Sequence, residues 1–331
     1  MATPVRLEPA KAVAVLGAGT IGASWAALFA THGLETTIYD PNPNAEASMW
    51  EVVVDAVQTL ARIEPSPPYA TLQEASRRIS FTTDLEKAVA TADVIQENVP
   101  EILDLKLELF AKLEVLIKDT TLVLSSTSGI QPSKLQDGFK RLGSNLVVGH
   151  PFNPPHLLPL VEVVGGSQSS EESIQRAIDF YASLGKKPVR VRCEIQGHIA
   201  NRLQAALFRE IMYLLQNDIA TVSEIDTALE YGPGLRWGVM GASLLLHLGG
   251  GPEGARGYGN KFMPHLMSWY APQDPLLDQE LVDRWVQETL AEAGDKTGCL
   301  ERRRDEALVQ LINTKNRSHR TMEPSPPPKA S

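Results

Sequence analysis

Up to Val191 the chain is punctuated by short apolar runs, some of them without polar alternation. Ala12–Leu16, Leu122–Leu124 and Leu146–Val148 are of this kind, and Glu35–Tyr39, Ile79–Phe81, 93–96, Leu157–Glu162 and Lys187–Val191, which include polar residues, extend the series as further strands. Continuous hydrophobicity over four or five residues predicts strands buried on both faces of a sheet. Between the runs the spacing becomes helical. Trp25, Leu28 and Phe29 form one such stripe, and Leu105, Leu109, Leu113 and Leu116 form another within 101–117. Helices are also expected over 44–62, 84–90 and 170–183, with the three-proline stretch 64–69 as a loop. Strands alternating with helices predict a parallel, doubly wound sheet.

The alternation stops near Arg192. From Gly197 onward the pattern is helical, over 199–215, 221–229, 278–293 and 302–314, and Gly232-Pro233-Gly234 breaks the second of these. Six glycines among the eleven residues 249–259 predict a loop or hinge. The expected organisation is an α/β domain over 1–192, a smaller all-α domain over 193–316, and a proline-rich, disordered tail over 317–331.

At 331 residues the chain can hold two domains. Its 43% hydrophobic and 21% charged content is that of a globular protein, and a net charge of −9 argues against a nucleic-acid or anionic-membrane surface. Cys193 and Cys299 lie far apart, which suggests neither a disulfide framework nor a metal site. The first eleven residues lack the apolar core of a signal peptide, no run reaches membrane-spanning length, and the final Lys329-Ala330-Ser331 is not the peroxisomal tripeptide. The expected location is cytoplasmic.

The first strand opens directly into Gly17-Ala18-Gly19-Thr20-Ile21-Gly22, a helical stretch follows, and the second strand ends on Asp40. Strand, glycine fingerprint, helix, strand and acid within one unit are what a dinucleotide-binding Rossmann-type fold requires. Gly17 permits the tight turn, Gly19 lets backbone approach a pyrophosphate, and Gly22 lets the helix pack near the strand. Asp40 would bind the ribose hydroxyls and repel a 2′-phosphate, which favours NAD over NADP.

A second feature is Gly149-His150-Pro151-Phe152-Asn153-Pro154-Pro155, running on to Glu162. If the flanking runs are neighbouring strands, the turn between them can return Glu162 beside His150. The pair would then be a general base with its orienting acid. A structural histidine and a salt-bridged edge glutamate fit the segment alone equally well. Glu97, Glu101, Lys106 and the turn Ser125–Gly129 fall at or just past strand ends, where ligands collect in such sheets.

These motifs together resemble the 3-hydroxyacyl-CoA dehydrogenase superfamily over nearly the whole chain. The fingerprint, Thr127-Ser128, His150-Pro-Phe-Asn153-Pro, Glu162 and Gly197-x-x-x-Asn201-Arg202 occur in its order and spacing. Residues 96–106, 154–162 and Gly234-Leu235-Arg236-Trp237 are most similar to the lambda-crystallin (L-gulonate 3-dehydrogenase) and L-carnitine dehydrogenase branches. The resemblance implies that His150 is the catalytic base, oriented by Glu162, with Ser128 and Asn201 binding the reacting oxygen. It implies that Gly17, Gly19, Thr20, Ile21, Gly22, Asp40, Glu101, Lys106, Ser128 and Asn153 contact NAD, and that the protein is a homodimer. His156 and His198 are read as bystanders of the site.

Residues 44–78 contain no lysine, a poor cradle for the phosphates of CoA. Arg236 could instead bind a carboxylate bidentately, unless it is a surface residue paired with Glu230. The expected substrate is a free 3-hydroxy acid, gulonate- or carnitine-like, with an acyl-CoA thioester as the alternative. A non-catalytic, crystallin-like or NAD-sensing protein is a further one.

Overall fold

The computed structural model describes residues 10–294 and 297–322. Eight strands form one sheet: β1 (Ala12–Leu16), β2 (Glu35–Tyr39), β3 (Ile79–Thr82), β4 (Val94–Glu97), β5 (Leu122–Ser125), β6 (Leu146–Pro151), β7 (Leu160–Gly165) and β8 (Lys187–Val191). Their order is β3-β2-β1-β4-β5-β6-β7-β8. Every neighbouring pair is parallel except β6 and β7. Both faces are covered at the centre of the sheet, which is why β1, β5 and β6 read as apolar runs, while β8 at the edge is mostly exposed. Val13 and Val15 join a core with Trp25, Phe29 and Tyr181, while Ala14 and Leu16 join a second core with Phe110 and Leu113. Successive residues of one strand therefore serve opposite faces.

The described residues divide into two compact units, the first ending at Ala200 and the second beginning at Asn201. The first extends past Arg192 because polar side chains of the sheet domain hold the segment that follows. Glu194 accepts the Ser133 N–H and hydroxyl at 2.6 and 2.7 Å, and Glu162 accepts the N–H groups of Ile199 and Ala200.

The second unit is helical, with principal helices at Ala200–Gln216, Val222–Leu229, Ala242–Gly249, Gly254–Leu266, Gln279–Ala293 and Thr297–Met322. Thr221 and Glu224 form a reciprocal capping box at the start of the second, and the chain kinks at Gly232 as expected. Its small core gathers Met212, Leu215, Val222 and Leu281 around Trp285. Two expectations are corrected here. The glycine-rich stretch is no long loop. It joins two helices that cross closely, and a Cβ on Gly250 would lie 1.7 Å from the carbonyl oxygen of Gly254. The last helix continues through Met322, so the first residues of the expected tail are helical; 323–331 lie outside the described residues. No helix among the described residues is long and apolar enough to cross a membrane.

Lys186, just before β8, is buried and ties the fold to the segment after β6. Its ammonium donates to the carbonyl oxygens of Pro155 and Leu158 and lies 5.5 Å from the Trp25 ring centre. Burial lowers its pKa to about 7, against roughly 10.4 for an unfolded lysine. Between those values the unfolded chain binds a proton that the folded chain does not, so stability rises with pH across the window. Tyr39 and Tyr181, whose phenols burial pushes up, reverse the trend only in more alkaline solution. Wild type is therefore expected to gain thermal stability relative to Lys186→Met from about pH 7 to about pH 9.5. A Tm difference that stays constant over that range would contradict this account.

Candidate active site

The three fingerprint glycines answer to three different constraints. Gly17 has φ of 97°, and a Cβ there would lie 2.8 Å from the Asn98 carbonyl oxygen. At Gly22 a Cβ would fall 1.9 Å from the Gly17 carbonyl oxygen. At Gly19 it would meet nothing within 4 Å, so this approach to the helix Thr20–Thr31 is open. The helix carries no acid in its first turn and no side-chain cap, which leaves its N-terminal amides and dipole available to an anion. Thr20 is exposed and Ile21 half-buried beside it. Asp40, at the end of β2, accepts the Ala18 N–H at 3.0 Å with one oxygen and the Asn42 N–H at 2.9 Å with the other. The strand order changes direction at β1, the switch point where dinucleotides bind in doubly wound sheets. The donor set fits NAD.

At the ends of β4 and β5 lies a buried charge cluster. Lys106 is buried; its ammonium donates to Glu97 at 2.6 Å and to the Val99 carbonyl at 3.2 Å, and lies 3.4 Å from Glu101. Glu97 also accepts the Ser125 hydroxyl at 2.5 Å and the Val99 N–H at 2.7 Å. Burial pushes the Glu97 carboxyl up, and Lys106 offsets part of that. Lys106, an expected cofactor contact, has Glu97 as its nearest partner, because a buried carboxylate needs a cation. Glu101 takes the Thr127 hydroxyl and the N–H groups of Ser128 and Gly129 (3.0 and 3.1 Å) on a single oxygen. Burial opposes its ionisation, but Thr127, Lys106 and the Gly129 N–H outweigh it and hold the carboxyl below its ordinary range. The turn that exposes Ser128 is thus fixed from beneath.

His150 and Glu162 stand directly opposite each other across the antiparallel β6–β7 pair. His150 Nδ1 is 2.9 Å from Glu162 Oε2. The other oxygen of Glu162 accepts the Ile199 and Ala200 N–H groups at 2.8 and 3.0 Å. Glu162 is only 1% exposed; burial would raise its pKa, but His150 and the two amides hold it below the ordinary value. With Nδ1–H directed at a carboxylate, the Nε2 lone pair is left for a proton.

The two histidines read as bystanders are both buried. His156 exchanges hydrogen bonds with Ser24, ring Nδ1 and backbone N–H each 2.8 Å from the hydroxyl, which ties the Thr20–Thr31 helix to the turn after His150. His198 packs against His150, ring centres 5.1 Å apart. Neither role had a local signal, since each depends on a partner distant in sequence. Asn153 is exposed in the turn after β6. Asn201 and Arg236 belong to the second unit: Asn201 lies in the first turn of Ala200–Gln216, and Arg236 is exposed in the short helix Leu235–Trp237. No ion pair joins Arg236 to Glu230 among the described residues.

Two family models cover nearly all of the chain: 3-hydroxyacyl-CoA dehydrogenase, NAD binding domain, over residues 12–194, and 3-hydroxyacyl-CoA dehydrogenase, C-terminal domain, over 197–297. The chain is 42% identical over 305 residues to an L-carnitine dehydrogenase of Bacillus cereus, covering 91% of each protein. It is 40% identical to one from Pseudomonas sp, covering 91% of this chain and 93% of that one. Among solved structures it is similar to 5-formyl-3-hydroxy-2-methylpyridine 4-carboxylic acid 5-dehydrogenase, an NAD+-dependent dismutase, with a TM-score of 0.77, 28% identity, and coverage of 92% of this chain and 98% of that one. It is also similar to (S)-3-hydroxybutyryl-CoA dehydrogenase from Ralstonia eutropha, with a TM-score of 0.62, 25% identity, and coverage of 68% and 78%. This chain belongs to the 3-hydroxyacyl-CoA dehydrogenase family and is an NAD-dependent oxidoreductase.

Proposed function

We propose that this protein oxidises a free 3-hydroxy acid of the carnitine type to the 3-keto acid, with His150 as the proton acceptor. The observation that carries the reading is the 2.9 Å contact from His150 Nδ1 to a Glu162 carboxylate that is itself held by two amides. Glu162 fixes the tautomer, so Nε2 takes the hydroxyl proton and the carboxylate stabilises the imidazolium formed. Ser128 and Asn201 bind the reacting oxygen. Gly17, Gly19, Thr20, Ile21, Gly22, Asp40, Glu101 and Asn153 would hold NAD, which supplies the hydride acceptor. Lys106 contributes by holding Glu101.

The free acid is favoured over a thioester by the basic groups beside the second strand. Residues 44–78 carry Arg62, Arg77 and Arg78 and no lysine. Arg78 is committed within the protein, donating to the Glu74 carbonyl at 2.8 Å and stacking 3.9 Å from the Tyr69 ring centre. Arg236 is the candidate for the carboxylate. Trp237 beside it is 45% exposed and offers an indole face to a quaternary ammonium. The names of the relatives at about 40% identity agree with such a substrate.

The second unit exposes Leu203, Leu235, Leu244, Leu248, Met267 and Trp269. Apolar exposure on this scale marks an interaction surface, and a second copy of the chain is its proposed cover. A cytoplasmic location suits the two exposed free cysteines.

Four measurements test this reading. His150→Ala is expected to lower kcat by about 10²–10⁴ with NAD binding and fold unchanged; full activity would remove His150 from the mechanism. NADH formation is expected from L-carnitine or another free 3-hydroxy acid and not from L-3-hydroxybutyryl-CoA. Arg236→Met should raise KM for that acid roughly 10–100-fold, the loss of one charged hydrogen bond. Turnover of the thioester alone would reverse the assignment, and NAD binding with no turnover of either would favour a non-catalytic role. Light scattering should give twice the chain mass, with Leu244→Glu/Leu248→Glu shifting it toward monomer; a monomeric wild type refutes the dimer.

A further inference from the structure

His198 is the one residue beside the His150–Glu162 pair whose backbone is strained. Its φ is 49°, and it follows Gly197 at 77°, so two successive residues are left-handed. For a residue with a Cβ that conformation is disfavoured, and histidine, with asparagine and aspartate, enters it several-fold more often than other residues. Such strain persists where the surrounding structure fixes it, and it gathers at functional sites. Here the consequence is visible in the next two residues. The N–H groups of Ile199 and Ala200 converge on Glu162 Oε1 at 2.8 and 3.0 Å. Convergent successive amides are an anion-binding concavity, and this one is filled by the carboxylate that orients the base.

The ring is held in place too. It is 2% exposed, Nε2 lies 3.4 Å from the Thr127 carbonyl oxygen, and its centre is 5.1 Å from that of His150. Nε2 facing a carbonyl is the N–H-bearing nitrogen, which leaves Nδ1 a buried acceptor without a hydrogen-bond partner. Burial and the neighbouring His150 lower the His198 pKa, so the ring is neutral near pH 7 and adds no charge beside the base.

We infer that His198 is a positioning residue: its left-handed turn sets the Ile199 and Ala200 amides on Glu162, and so fixes the carboxylate that orients His150. It acts through Glu162 and does not touch substrate. This rests on His150 and Glu162 being the base and its acid.

The test separates the turn from the ring. Asparagine and glycine adopt the left-handed conformation and lack the imidazole, whereas phenylalanine keeps an aromatic ring and disfavours that backbone. His198→Asn and His198→Gly are expected to retain kcat within about threefold, and His198→Phe to lose about 10–100-fold, the range for misplacing a catalytic group. KM and NAD affinity should stay within about twofold in all three, since none of the exchanged groups binds either ligand. A readout independent of turnover is the downfield proton resonance of His150 Nδ1–H, assigned by its loss in His150→Ala. It should persist in His198→Asn and shift upfield or vanish in His198→Phe. Phenylalanine equal to asparagine, in both kcat and the resonance, would overturn the inference. So would asparagine and glycine failing while phenylalanine succeeds, because the ring would then carry the effect. An active His150→Ala would instead refute the underlying dyad.

Discussion

Register between β6 and β7 is the constraint on which the site depends. Among the described residues these are the only antiparallel neighbours in the sheet, and they place His150 opposite Glu162. Side chains alternate between the two faces of a strand, so a slip of one residue would send Glu162 to the other face. The register is held from both ends. Lys186 grips the carbonyls of Pro155 and Leu158 in the connecting segment, and β8 pairs with β7 from Leu160 to Val164. Ser24 and His156 add a bond to the helix that follows the glycine fingerprint. The helix after the fingerprint and the segment after His150 are thus tied to each other through one serine and one histidine.

A second theme is the use of buried charge to shape turns. Moving an ion out of water costs several kcal/mol unless it is paired and hydrogen-bonded. Glu97, Lys106 and Glu162 are each almost fully buried, and each has several partners. In the β4–β5 cluster the ammonium neutralises Glu97 and lies near Glu101, whose oxygen gathers the Thr127–Gly129 turn. In the β6–β7 pair the carboxylate gathers the Gly197–Ala200 corner. Both carboxylates organise irregular backbone at a strand edge, where a regular ladder cannot satisfy the amides.

Much of this was legible in the sequence. The central strands β1, β5 and β6 were visible as apolar runs, because strands buried on both faces have little choice of residue, whereas β2, β3 and the exposed edge strand β8 were legible only from their place in the alternation. The His150–Glu162 pairing was legible as a possibility; its registry came only with the structure. Three features resisted reading, for one shared reason. Six glycines in eleven residues look the same whether they serve flexibility or the close crossing of two helices. Lys106 at a strand edge looks the same whether it faces a ligand or Glu97. His198 in the Gly197–Asn201 motif gives no local sign of its left-handed backbone or of its neighbour His150. In each case the deciding fact is which group the residue faces, Gly254 for Gly250, Glu97 for Lys106 and His150 for His198, and residue type alone does not show it.

A dyad of this kind is indifferent to what lies beyond the reacting carbon, since proton removal needs only the hydroxyl within reach of Nε2. Under the proposed mechanism, substrate class falls to cations away from the dyad. Beside the second strand acids predominate, and Arg78 is already engaged by Glu74 and Tyr69. A polyphosphate needs several free cations together, whereas one carboxylate needs a single guanidinium. With Arg236 exposed and unpaired with Glu230, the second condition is met more readily than the first. The proposed preference for a small free acid rests on that asymmetry.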